Sequence, residues 1–205
     1  MSQYDQLATK ESVDKTIEAL KSNGIEAKFV ETGEDAKKEI LSLIPQGAEV
    51  MNMTSVTLDT LGIPEEINES GKYDSVRSKL NKMDRQTEGS KMQQLGAAPD
   101  WAVGSVHAVT EDGHLLIASN TGSQLPAYAS GAQHVIWVVG TQKIVKNNDE
   151  ALKRIYEYVL PLESVRANKA YNITTGSNVS KLLILNKEVK PGRIIVIFVG
   201  EKLGF

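Results

Sequence analysis

Small polar residues are concentrated in one short stretch, Ser119–Gln124 (SNTGSQ), which lies between two apolar runs. A glycine among hydroxyl and amide side chains leaves backbone N–H groups accessible, and such a loop before a helix can bind a phosphate or carboxylate. Thr175-Gly176-Ser177 is a second stretch of this type, and we expect a helix to follow each. The alternative for either loop alone is an ordinary turn or helix cap, which uses the same residue types.

The same reasoning extends to other polar residues that follow predicted strands. Because ligands of open α/β sheets bind beyond the carboxyl ends of the strands, we expect these residues to converge on one anionic ligand. The candidate ligand-binding residues are Thr54, Ser55, Ser119, Asn120, Thr121, Gly122, Ser123, Gln124, Lys143, Thr175, Gly176 and Ser177.

Two side chains suited to proton transfer, His107 and Glu111, lie close together in the sequence. They could act as acid and base, and Glu111 could also act as a carboxylate nucleophile. The alternative is structural: Glu111 then belongs to an acidic turn, and His107 is a strand histidine bonded to a backbone group. The chain has three histidines, and their scattered positions do not give a metal-ligand spacing, so we predict no metal site.

Several classes of protein are excluded by what the sequence lacks. It contains neither the G-x-x-x-x-G-K-[ST] motif nor G-x-G-x-x-G, which argues against an ATPase and a dehydrogenase. It contains no cysteine, so no cofactor can be bound through cysteine, and any iron–sulfur cluster must belong to another chain. A CoA ester or a phosphate compound is compatible with the polar loops.

Charge and hydropathy favour a cytoplasmic protein with no nucleic-acid or membrane partner. The formal net charge is -3, which gives no general attraction to nucleic acid. No apolar run reaches the roughly 18 residues of a membrane helix, and residues 1–7 lack the layout of a signal peptide.

The elements that would position these residues alternate between helix and strand. Apolar residues recur with helical spacing in Ser12–Asn23 and Gly33–Leu43, and strand-like segments follow at Ile25–Val30 and Glu49–Met53. His134–Val139 is continuously apolar, as in a strand buried on both faces of a parallel sheet. We therefore predict an α/β fold, an open and mostly parallel sheet with helices on both faces.

The remaining segments add details to this fold. Apolar runs at Ala102–Val109 and His114–Ser119, joined by an Asp-Gly turn, predict a β-hairpin. Asn148–Leu160 is an amphipathic helix. Residues 71–98 are mostly polar with a narrow apolar stripe, which predicts a helical arm inserted in a single domain of residues 1–205.

Longer segments of the sequence resemble the LUD (lactate-utilisation) domain family, in particular its stand-alone, single-domain members. The resemblance covers nearly the whole chain. It rests on Ile44–Met51, Met53–Leu58, Leu95–Asp100, Gly104–Ala108, Ser119–Tyr128, Val138–Val145 and Glu201–Phe205.

The resemblance implies a sugar-phosphate-isomerase and CoA-transferase-like fold. It also implies a role in lactate or small-carboxylate utilisation, alongside iron–sulfur and flavin-type subunits. Distant proteins of the wider fold bind acyl-CoA, sugar phosphates or folates, and the transferases among them use a glutamate nucleophile, for which Glu111 is the candidate here.

Three hypotheses follow. The protein binds an anionic small molecule in carboxylate metabolism, with Glu111 or His107 acting on it; or it is a non-catalytic sensor using the same pocket; or it is a cysteine-free partner subunit of an iron–sulfur redox complex that docks through the arm. Whether it is an enzyme stays open at this stage, as does self-association into a homo-oligomer.

Overall fold

The computed structural model describes residues 2–205, so Met1, which belongs to the predicted domain and to the segment tested for a signal peptide, lies outside the described residues. The strands are β1 Glu26–Val30, β2 Glu49–Asn52, β3 Asp74–Ser75, β4 Trp101–Gly104, β5 Ala108–Thr110, β6 Leu115–Ser119, β7 His134–Gly140, β8 Ile144–Val145, β9 Lys181–Leu185 and β10 Ile194–Val199. The α-helices are α1 Lys10–Ser22, α2 Gly33–Leu43, α3 Val56–Thr60, α4 Ile63–Asn68, α5 Val76–Leu80, α6 Arg85–Ala97, α7 Asn148–Lys153 and α8 Leu160–Tyr171.

Six strands form a central sheet in the order β1-β10-β7-β4-β2-β3, and every neighbouring pair is parallel. The position of β7 in the interior of this sheet explains why its sequence is continuously apolar. Val135, Trp137 and Val139 face one core cluster, whereas Ile136 and Val138 face another on the opposite side of the sheet. Both faces are thus buried, which confirms the predicted α/β fold with an open parallel sheet and flanking helices.

A second sheet, in the order β8-β5-β6-β9, packs beside the first. The predicted hairpin is present, because β5 and β6 pair antiparallel and Gly113 takes a positive φ of 83° in the turn. The predicted strand Ala102–Val109, however, is broken at residues 105–107. Its first half, β4, lies in the parallel sheet and its second half, β5, in the second sheet, so the break lies where the two sheets meet.

Two other expectations are corrected. Thr175–Ser177 is not followed by a helix, since the chain continues into the edge strand β9, which pairs antiparallel with β6. The amphipathic helix that begins at Asn148 extends beyond Leu160, because a π-helical segment, Arg154–Val159, joins α7 to α8.

The arm predicted at residues 71–98 contains β3, α5 and α6. Gly96 is the one buried residue of α6, so this helix contributes little to the core. Within residues 2–205, no helix combines the length and the apolar character that crossing a membrane requires.

Candidate functional site

A large cleft opens where the central sheet meets the second sheet. Its cavity volume is about 1200 Å³, and it lies beyond the carboxyl ends of β2 and β4. Helix α6, helix α8 and the loop Ser119–Gln124 contribute its walls. This is the position in which open α/β sheets bind ligands.

Lys143 lies at the floor of the cleft, in the 3-10 helix Thr141–Lys143 that follows β7, and is only 3% exposed. Its Nζ donates to Thr57 Oγ1 at 3.0 Å, to Ser105 Oγ at 3.1 Å and to the carbonyl oxygen of Val106 at 3.2 Å. None of the salt bridges among the described residues includes this lysine. Burial, followed by the charge of Arg154, lowers the pKa of Lys143 to about 7.

His107 lines the cleft beside this lysine. The backbone N–H of Ala118 donates to its Nδ1 at 3.1 Å, so the neutral ring carries its proton on Nε2. Burial, with smaller contributions from Lys143 and Arg154, lowers the pKa of His107 to about 3. At neutral pH the ring is therefore uncharged and can donate a hydrogen bond to a ligand.

Arg154 adds a second buried cation next to His107. It is fully buried, one of its Nη atoms donates to the carbonyl oxygen of His107, and its guanidinium lies 5.3 Å from the ring centre of Tyr158. Burial lowers the pKa of Arg154 to about 10. The buried charged residues among residues 2–205 are Lys143, Arg154 and Arg193, all of them cations.

Three arginines line the cleft from the helices: Arg77 on α5, Arg85 on α6 and Arg166 on α8. Arg166 is neutralised by both oxygens of Glu163 at 2.7 Å, whereas Arg77 donates to the neutral carbonyl oxygen of Asn52 at 3.0 Å. Burial lowers the pKa of Arg77. With Lys143, the lining has four basic residues against two acidic ones, Asp59 and Glu163, which favours an anionic ligand.

The loop Ser119–Gln124 lines the cleft as predicted, but its polar groups mostly bind one another. Ser119 Oγ accepts from the N–H of Gly122 at 2.8 Å and donates to Gln124 Oε1 at 2.9 Å. The N–H of Ser123 donates to Thr121 Oγ1 at 3.3 Å. Asn120 also lines the cleft, and its Oδ1 accepts from the hydroxyl of Ser180, the residue before β9. The loop is therefore a turn at the rim of the cleft, in which most polar groups are satisfied by hydrogen bonds within the loop itself.

The other predicted residues are divided between the cleft and its surroundings. Thr54, Ser55, Gly176 and Ser177 line it, and the Ser55 hydroxyl makes no cap bond to α3 although Ser55 is the N-cap residue. The N–H groups of Gly176 and Ser177 bind Asn168 Oδ1 and Ser164 Oγ on α8. Thr175 lies outside the lining.

Glu111 does not meet His107. Its two carboxylate oxygens accept from Ser12 Oγ and Lys15 Nζ on α1, each at 2.8 Å, and it lies outside the cleft lining. The hydrogen bond from Lys15 makes the largest contribution to lowering the pKa of Glu111. A catalytic role for Glu111 in this cleft therefore has no geometric support, since it lies in the hairpin turn that packs against α1.

Sequence reasoning missed Thr57, Ser105 and the three arginines. Ser105 could have been identified as the polar residue that follows the end of β4, but the prediction of one unbroken strand hid that end. The arginines lie on helices without a distinguishing motif, and only the tertiary arrangement brings them to the cleft.

The fold and cleft define an α/β protein with a cationic pocket at the carboxyl edge of a parallel sheet. The family model described as the LUD domain matches residues 13–199, and the chain belongs to this family. A comparison with curated proteins finds no match. The crystal structure of a DUF162 family protein from Deinococcus radiodurans is similar in fold, with a TM-score of 0.57 and 15% identity over 95% of this chain and 99% of that chain.

Proposed function

We propose that this LUD-domain protein binds an anionic small molecule, a carboxylate, phosphate or CoA ester, in the cleft at the carboxyl edge of the sheet. The single observation that carries the proposal is Lys143, a buried cation at the floor of a large cavity without a carboxylate partner among the described residues. An uncompensated charge costs free energy in the empty protein, and an anionic ligand offsets that cost.

The size of the cleft favours the larger members of this ligand class. Pockets for drug-sized molecules measure roughly 300 to 1000 Å³, and this cavity measures about 1200 Å³. A three-carbon acid such as lactate would occupy only a small part of it. A phosphate-bearing compound or CoA ester could contact Lys143 and the arginines of α5 and α6 together. The lactate- or carboxylate-utilisation role implied by the family resemblance would then concern an activated form of the acid.

A thermal-shift series tests the proposal with inorganic pyrophosphate, acetyl-CoA and L-lactate as probes. A ligand at 100 times its dissociation constant adds about 2.7 kcal/mol, which raises the midpoint of a chain of this size by roughly 5 to 10 °C. We expect a clear shift with pyrophosphate or acetyl-CoA. No shift with any of the three would contradict the proposal.

Arg77→Gln is the variant that localises the binding, because Arg77 lines the cleft and has a neutral backbone partner. We expect it to reduce the shift. Lys187→Gln is the matched control, since Lys187 is exposed and lies outside the cleft lining, yet its substitution changes the net charge equally. An equal loss in both variants would indicate non-specific attraction.

The sensor and partner-subunit alternatives use the cleft differently. A non-catalytic sensor would bind the same anionic ligand in the cleft without converting it. The partner-subunit hypothesis, which docks a redox subunit on the arm, is less well supported, because α6 also forms a wall of the cleft and docking there would compete with ligand entry.

A further inference from the structure

Ser105 and Lys143 bring a hydroxyl and an amine into contact at the floor of the cleft. Ser105 follows the last residue of β4, lines the cleft, and has its Oγ 3.1 Å from Nζ of Lys143. A serine becomes a nucleophile when a base within hydrogen-bond distance can take its proton, and a lysine amine is one such base.

The hydrogen bonds around Nζ can accommodate both protonation states of the lysine. As an ammonium it donates to Thr57 Oγ1, Ser105 Oγ and the Val106 carbonyl, while Ser105 donates to the carbonyl oxygen of Val138 at 2.7 Å. As a neutral amine it keeps two donors, for Thr57 and Val106. Its lone pair then faces Ser105, whose hydroxyl can turn from Val138 towards Nζ.

The surroundings also favour the neutral form that a base requires. Lys143 is nine-tenths or more buried, has no carboxylate partner among the described residues, and shares its region with the buried cation Arg154. These causes bring the pKa of Lys143 to about 7, so an appreciable fraction is neutral at physiological pH.

His107 supplies the third group that acyl transfer needs. The hydrogen bond from Ala118 to its Nδ1 leaves the proton on Nε2, and the ring lines the same cleft as Ser105. A neutral donor of this kind can stabilise the negative charge that develops on an acyl oxygen.

We propose that Ser105 is an acyl-accepting nucleophile, that Lys143 is its general base, and that the cleft hydrolyses esters or thioesters of anionic compounds. This inference rests on the proposed function and names its reaction. A bond forms between Ser105 Oγ and the acyl carbon, and the hydroxyl proton passes to Nζ. The bond to the leaving thiol or alcohol breaks, and Nζ returns the proton to it. Water then attacks the acyl-serine, which releases the carboxylic acid and restores the serine.

The test uses a fluorophosphonate probe without an anionic group, followed by peptide mass spectrometry of the wild-type protein. We expect phosphonylation at Ser105, with a rate that rises with pH and has a midpoint near 7. Lys143→Met should slow the labelling at least about 100-fold and remove this pH profile, an effect that a purely structural lysine would not produce. Lys187→Met is the matched control, because Lys187 is exposed and lies outside the cleft lining, and it should label at the wild-type rate.

Absence of Ser105 labelling in the folded wild-type protein would overturn the inference, and so would an unchanged rate in a folded Lys143→Met. The wild-type readout does not depend on any variant folding. Because the probe is uncharged, its result is independent of the pyrophosphate shift. A pyrophosphate shift without labelling would support the proposed anion binding and contradict the roles of Ser105 and Lys143 in acyl transfer. Labelling of Ser105 without a pyrophosphate shift would support those roles and contradict the proposed anion binding.

Discussion

The rim and the floor of the cleft differ in how their polar groups are satisfied. At the rim, the loop Ser119–Gln124 is rich in donors and acceptors, but Ser119, Gly122 and Gln124 already bind one another. At the floor, Lys143 has only neutral oxygen partners, so its charge is uncompensated. A polar composition therefore does not by itself indicate a ligand site. An uncompensated buried charge is the stronger signal.

The largest expected effect is a loss of stability when the packing at the floor is disturbed. A Cβ atom added at Gly104 would lie 1.7 Å from the hydroxyl oxygen of Tyr128, whose ring is buried against Trp137. We expect Gly104→Ala to reduce the free energy of unfolding by about 3 kcal/mol, measured by urea denaturation. A loss below about 1 kcal/mol would mean that Tyr128 can move, and that the floor is as adaptable as the rim.

The pH dependence of the free energy of unfolding reports the protonation of Lys143 at the floor. The folded pKa of Lys143, about 7, lies below the ordinary lysine pKa of 10.5, so between these values the unfolded chain binds more protons and stability rises with pH. We expect the wild-type free energy of unfolding, relative to that of Lys143→Met, to increase by about 2 kcal/mol from pH 7 to pH 9. Parallel curves for the two proteins would show that Lys143 keeps an ordinary pKa.

A glycine substitution at the rim should reduce the free energy of unfolding less than one at the floor. Gly122 has a positive φ of 83°, and an added Cβ would lie 2.5 Å from Cδ of Lys181, an exposed side chain that can move away. We expect Gly122→Ala to lose about 1 kcal/mol, from the backbone conformation alone. A loss in urea denaturation equal to that of Gly104→Ala would remove the contrast between the two regions.

The fold was largely predictable from local patterns. The continuous apolar sequence of β7 indicated burial on both faces, and Asp112-Gly113 indicated the hairpin, because each pattern follows from a local backbone requirement. The break after Gly104 was not predicted, since the residues on both sides of it are apolar and strand-like. It depends on the sheet that each half joins, which is a tertiary property.

The site was less predictable than the fold. The sequence indicated the cleft-lining loops and Lys143 but could not show that Glu111 binds Ser12 and Lys15 on α1, because that contact joins residues far apart in the chain. The alternative of a histidine bonded to a backbone group agrees with the bond between Ala118 and His107. The three oxygen atoms that accept hydrogen bonds from Lys143, on Thr57, Ser105 and Val106, come from separate segments of the chain. Their arrangement has no sequence signature.

Calorimetric titration with pyrophosphate tests most directly whether the anion binds at the charged floor rather than at the polar rim. The titration compares wild type, Lys143→Met and Ser119→Ala at low ionic strength and at pH 6, where Nζ carries its proton. We expect Lys143→Met to weaken binding at least about tenfold and Ser119→Ala to stay within about twofold of wild type. Unchanged affinity in Lys143→Met together with a large loss of affinity in Ser119→Ala would contradict binding at the floor. It would indicate that the anion binds at the loop Ser119–Gln124.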